Sequence, residues 1–173
     1  SLGLVGSEMC IRDNPFDAGE VSGLEKGTVF GGILKANSKQ SKFVLSIRAS
    51  DVFEIYRVSD DGINRVYVSP FKHIPKTWKK GGGYAIDYNQ SIGGIKNIAV
   101  SDDLICFSLF LQNYNEAAKT DFASNELFCF DWDGNKVKKY VLPFPIGNFC
   151  IDGTHIYGVR NFEDKIIIYR FNM

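Results

Sequence analysis

ELFCFDWDGNKVKKYVLP, residues 126–143, holds two strand-like runs on either side of an Asp-Gly turn, and its reading decides the fold. Asp-Gly between β-forming runs is a strong hairpin signal, because glycine takes the positive φ that such a turn needs. The first half of the stretch recurs. VFEIYR (52–57) and KIIIYR (165–170) share with ELFCFD (126–131) an apolar residue, one free position, a β-former (Ile55, Cys129, Ile168), an aromatic (Tyr56, Phe130, Tyr169) and a charge (Arg57, Asp131, Arg170). An immunoglobulin-like sandwich would also give many short strands, but it predicts no internal repetition.

Working outward, a second strand precedes each repeated one: FVLSI (43–47), ICFSL (105–109) and HIYGV (155–159), with the small residues Ser46, Ser108 and Gly158 at a matching place. Two of these follow a first strand, KNIAVS (96–101) and GNFCID (147–152), each with an asparagine, Asn97 or Asn148, before three apolar residues. The first two repeats also have a fourth strand, NRVYVS (64–69) and KVKKYVLP (136–143), entered through SDDG and DWDGN. Four antiparallel strands per unit, repeating at irregular spacing, is the pattern of a β-propeller blade. The expected fold is all-β: a partial β-propeller over residues 31–173, with two full four-stranded blades and a three-stranded last blade. A ring needs roughly four to eight blades, so this chain is expected to be a piece of a larger ring. Met173 is expected near the natural end, with the completing outer strand supplied from the N-terminal side.

Three stretches carry a resemblance. GIKNIAVSDDLICFSLF (94–110), NELFCFDWDGNKVKKYVLPF (125–144) and FCIDGTHIYGVRNFEDKIIIYRF (149–171) resemble the last repeats of the TolB-like six-bladed propellers of bacterial envelopes. The resemblance spans about residues 31–173, is strongest from Gly94 onward, and is most specific at FDWDGNKVKKY. It implies the C-terminal portion of a six-bladed ring, a periplasmic protein or outer-membrane lipoprotein, and no catalytic residues to carry over.

The opening is of another kind. LVGSEMCIRD (4–13) looks like one reading frame of a transposon-end sequencing adapter, so residues 1–13 are read as an artefact to be set aside and 14–30 as an irregular lead-in. That leaves Cys106, Cys129 and Cys150, an odd number without C-x-x-C spacing, which indicates neither a zinc site nor a disulfide framework. Cys106 and Cys129 align with aliphatic positions and read as small core hydrophobes.

Twenty basic and twenty acidic residues cancel, which removes the general attraction to phosphate that nucleic-acid binders use. No apolar run approaches the roughly 20 residues of a membrane span. In a blade, the second-to-third strand loop and the connection to the next blade emerge on one face. Those segments include the two longest loops, 70–94 and 112–125, whereas the opposite turns (37–41, 59–62, 101–103, 132–135, 152–154) are short. Elaborated loops on a rigid scaffold are where function sits. The candidate ligand-binding residues there are His73, Trp78, Tyr84, Tyr88, Tyr114 and Lys119, a set suited to stacking on a glycan or gripping a peptide.

KKGGG (79–83) reads as a solvated hinge, since no G-K-[ST] and no following helix support a phosphate cradle. DWDGN and SDDG read as turns rather than calcium loops or Asp-boxes. His73 and His155 read as isolated, no nucleophile elbow is present, and no catalytic residue, metal site or cofactor is expected. The function expected is a non-catalytic binding or scaffold module of the envelope, monomeric at full length, presenting one loop-rich face to an unknown protein, peptide or glycan. The alternative is a propeller hydrolase or lyase with a cation in the central channel, for which only Asn97 and Asn148 qualify as inward ligands.

Overall fold

The computed structural model describes residues 31–173 apart from Ser38, Phe71, Lys72 and Glu163; the adapter-like segment 1–13 and the lead-in 14–30 lie outside the described residues. The first sheet is β1 (Gly32–Asn37), β2 (Lys42–Ile47), β3 (Phe53–Ser59) and β4 (Gly62–Val68), in spatial order β1-β2-β3-β4. The second is β7 (Ile92–Val100), β8 (Ile105–Asn113), β9 (Ser124–Phe130) and β10 (Lys136–Ile146), ordered β10-β9-β8-β7. The third is β11 (Phe149–Ile151), β12 (His155–Phe162) and β13 (Lys165–Asn172), in that order. All pairings are antiparallel and sequential, so the repeated strands of the sequence become β3, β9 and β13, the third strands of successive blades. The molecule is an all-β partial propeller.

Period-two alternation explains the stacking. In β8 and β9 of the middle blade, Ile105, Phe107, Phe128 and Phe130 point toward the first blade, while Cys106, Leu127 and Cys129 point toward the third. Phe53 of the first blade packs 5.1 Å, centroid to centroid, from both Phe107 and Phe130. On the other side Ile146, Phe149, Ile151 and Ile156 close the second core. The first strand β7 touches both β1 and β11, as innermost strands around a propeller axis do. Ser46, Ser108 and Gly158 are all buried, and a Cβ added at Gly158 would lie 2.6 Å from Ile146 Cδ1. Close packing is what keeps that repeated position small.

One feature completes the sequence reading and three correct it. Strand β1 supplies the first strand of the expected full first blade, to which the sequence reading assigns no stretch; its register with β2 (Ile33↔Ser46, Leu34↔Leu45) recruits GILKAN. Loop 70–94 contains a two-stranded hairpin, β5 (Thr77–Lys80) and β6 (Gly83–Ile86). KKGGG is its turn, with Gly81 at φ 54° and Gly82 at φ 86°, and not a hinge. Loop 112–125 contains a short helix, α1 (Tyr114–Ala118), whose first turn is capped by the Asn113 side chain accepting from the Asn115 N–H. Finally, Cys106 and Cys129 are not free hydrophobes. They sit opposite each other across β8 and β9, with Cα atoms 4.1 Å apart, and form a fully buried disulfide. A bridge of this kind stabilises by about 2–4 kcal/mol. Cys150 is free and exposed.

The short turns of one face fasten the first two blades together. Asn37 Nδ2 donates to the Asp102 carbonyl at 2.7 Å, Lys39 pairs with the Asp102 carboxylate, and Lys42 Nζ reaches Asp133 Oδ1 at 2.7 Å and the Trp132 carbonyl at 3.0 Å. The buried Trp132 indole N–H donates to the Ser101 carbonyl at 3.1 Å.

Candidate functional site

On the opposite face the β2–β3 turn, the connection into β7 and the segment after β8 converge. The turn locks onto β7 through Ile95 N–H donating to the Ser50 carbonyl at 2.8 Å. Gly94, at φ 70°, lies so close that a Cβ there would stand 2.3 Å from the Ser50 nitrogen, so only glycine permits the approach. The two long loops are joined in the same way. The Tyr114 N–H donates to the Ser91 carbonyl at 2.9 Å, Asn113 Nδ2 to the Asn89 carbonyl at 2.6 Å, and Asn115 Nδ2 to Asn89 Oδ1 at 2.6 Å.

Between these segments lies a cleft of about 310 Å³, lined among others by Ile33, Ser46, Arg48, Tyr88, Lys96 and Tyr114. Tyr88 and Tyr114 stack with ring centroids 4.0 Å apart, and both are half-buried. The Lys96 ammonium lies 4.2 Å from the centre of the Phe122 ring and 5.9 Å from that of Tyr114. Burial pushes the Tyr114 phenol above its ordinary pKa, Tyr88 adds to the shift, and the charge of Arg48 opposes it. The cleft is thus an amphipathic pocket with two cationic heads at its rim.

Of the six sequence candidates, the structure brings Tyr88 and Tyr114 together as cleft lining. His73 is not isolated: its backbone N–H donates to Asp51 Oδ1 at 3.0 Å and its Nδ1 lies 2.6 Å from Asp51 Oδ2, a carboxylate only 2% exposed. Asp51 belongs to the same turn as Arg48, so His73 is tied to the rim of the cleft. Trp78 and Tyr84 lie on the β5–β6 hairpin, where the Lys80 ammonium sits 5.7 Å from the Trp78 ring centre. Lys119 follows α1 and pairs with Glu116 at 2.6 Å on the surface. These last three are not among the cleft-lining residues. His155 is not isolated either. It lies on the short-turn face with Thr154 Oγ1 at 2.8 Å and Asp152 Oδ2 at 3.6 Å from its Nδ1.

Arg48 and Lys96 escaped the sequence reading. The only trace was a lone cation beside each apolar run, FVLSI and GIKNIAV, and blade-to-blade packing is what brings the two into one cleft. Asn97, considered as a channel ligand, donates from Nδ2 to the Phe149 carbonyl at 3.3 Å and so links neighbouring first strands. Among the described residues no three His, Cys, Asp or Glu side chains converge as a metal site requires, and no helix is long and apolar enough to cross a membrane.

In comparison with known families, the chain matches the family described as TolB-like 6-blade propeller-like over residues 24–154, a span that includes the whole cleft lining. No curated protein matches the chain.

Proposed function

The chain belongs to the TolB-like 6-blade propeller-like family, and on that premise we propose that it is a non-catalytic binding or scaffold module of the bacterial envelope whose working surface is the loop-rich face. The observation that carries this reading is the cleft, where two long loops are stitched together so that Tyr88 and Tyr114 form one half-buried aromatic wall. Its volume lies at the lower end of the roughly 300–1,000 Å³ of small-ligand pockets. A rigid aromatic pair with polar tips gives contact area at little entropic cost, which suits recognition of a peptide or glycan. The buried Cys106–Cys129 disulfide supports an oxidising compartment such as the periplasm.

The test is equilibrium binding of a peptide and glycan panel to the 173-residue chain and to its Tyr88→Ala and Tyr114→Ala variants. Ligands of the working face should lose about tenfold or more in affinity in either variant. A panel whose binders are indifferent to both substitutions would overturn the assignment.

A second reading, hydrolase or lyase, draws on one observation. Buried Asp51 holds Nδ1 of the largely exposed His73 side chain, the pairing by which a carboxylate orients a general base. Turnover of any panel ligand, abolished by His73→Gln with binding retained, would favour it.

A further inference from the structure

We propose that the cleft between the first two blades takes a carboxylated sugar residue, its ring against the Tyr88–Tyr114 pair and its carboxylate held by Arg48 and Lys96. The inference rests on the binding reading above and names the class of ligand.

Charge is the first argument. Lys39, Lys42, Arg65, Lys119 and Lys139 each have a carboxylate partner. Among the described residues, Arg48 and Lys96 have none, as is true of other surface cations such as Lys35 and Arg57, but these two share the lining of one cleft, where both are exposed. Two cations lining one cleft without an anion form a local positive field that a negative group entering it would relieve. The Arg48 fork fits a carboxylate, and Lys96 supplies a point charge braced over Phe122.

Shape and side-chain chemistry narrow the class. The cleft of about 310 Å³ accommodates a ring or a chain end, whereas a protein partner needs a face of about 800 Å². A peptide bound by strand addition would need unpaired strand edges. β1 and β7 are edge strands of their sheets, but the turn backbone beside the cleft is bonded internally, with Arg48 bridging to Gly94 and the Ile95 N–H bonded to Ser50, and the short peptide in the titration below tests that alternative. What the cleft offers is side chains, namely two phenol rings, two cationic heads and the wall of Ile33. An acidic pyranose matches that set, with an apolar ring face for the tyrosines and an anionic substituent for the cations.

The experiment is calorimetric titration of the 173-residue chain with tri-galacturonate, glucuronate and a sialic acid, and with the methyl ester of tri-galacturonate as the neutral isostere. Inorganic phosphate and a short N-acetylated peptide with a free C-terminus serve as competitors. At least one acidic sugar should bind saturably and weaken as salt is raised. Affinity should fall about tenfold or more on esterification and in each of Arg48→Gln and Lys96→Gln, the loss of one charge-assisted contact. Absence of binding by all three acids, an ester as tight as its acid, indifference to both substitutions, or equal competition by phosphate or peptide would each overturn the proposal. An ester that binds like its acid and is lost in Tyr114→Ala would overturn the acidic class yet leave the binding face standing. Sugar binding untouched by Tyr88→Ala and Tyr114→Ala would overturn both.

Discussion

The two faces of the blade stack use the same kinds of residue to opposite ends. On the short-turn face the cations are matched: Lys39 meets Asp102, Lys42 meets Asp133, and the Trp132 indole is buried and bonded to Ser101. The two lysine contacts bridge neighbouring blades, and the Trp132 contact closes the middle blade on itself. On the loop-rich face the blades are joined by backbone contacts at Ser50 and Gly94, while Arg48 and Lys96 stand beside tyrosines without an anion. Satisfied polar groups hold a fold in one arrangement, and unsatisfied ones at a concave surface are available to a ligand. The difference teaches that, on the proposed reading, stability and recognition lie at opposite ends of the same strands.

If that division holds, substitutions on the short-turn face should cost stability and those on the loop face should cost little. The largest effect is expected at Trp132. Trp132→Ala removes a buried indole from the first inter-blade core and should lower stability by about 3–5 kcal/mol in denaturant titration. Tyr88→Ala, on the open face, should cost only about 1 kcal/mol, near the worth of one aromatic pair. Equal losses at the two sites would erase the distinction.

The next effect sharpens the fastened face by pH. The N–H of Thr154, its hydroxyl and the N–H of His155 hold the Asp152 carboxyl far below the usual carboxylate range. With the folded pKa below the unfolded value of about 3.9, the stabilisation is complete above that value and is lost as pH falls through the folded one. The stability gap between wild type and Asp152→Asn should therefore be constant near neutrality and shrink below about pH 4. A gap that stays flat down to strong acid would contradict this account of the turn.

The smallest effect is expected at Lys119. Its pairing with Glu116 is solvent-exposed, so Lys119→Ala should change stability by no more than about 0.5 kcal/mol and leave binding at the cleft intact. A larger change in either quantity would extend the working surface beyond the cleft to α1.

The sequence made the blades legible because a strand buried on both faces must repeat its apolar and small positions. Phe53, Ile55, Leu127 and Cys129 lie in third strands, and Ser46, Ser108 and Gly158 could be aligned before any contact was known. The expected first blade has four strands, but the position of β1 was illegible because GILKAN is held by pairing with β2 rather than by propensity. The β5–β6 hairpin hid behind three glycines that look like a flexible linker. The disulfide depended on register: Cys106 and Cys129 were on neighbouring strands, but an odd cysteine count gave no sign that they faced each other. The aromatic wall of the cleft was readable, since Tyr88 and Tyr114 lie in long loops. Arg48 and Lys96 were not, because a charge on a short turn or inside a strand looks like any solvated charge until the neighbouring blade is in place.

The central claim is that binding occurs at the Tyr88–Tyr114 cleft of the loop-rich face, and backbone amide shift mapping of the intact chain tests it most directly. On titration with a ligand selected from the glycan and peptide panel, the account predicts that perturbed amides cluster at residues 32–33, 46–49, 88–96 and 114, around the cleft. Perturbations centred instead on the turns at 101–103 and 131–135, where the blades are fastened, would contradict it.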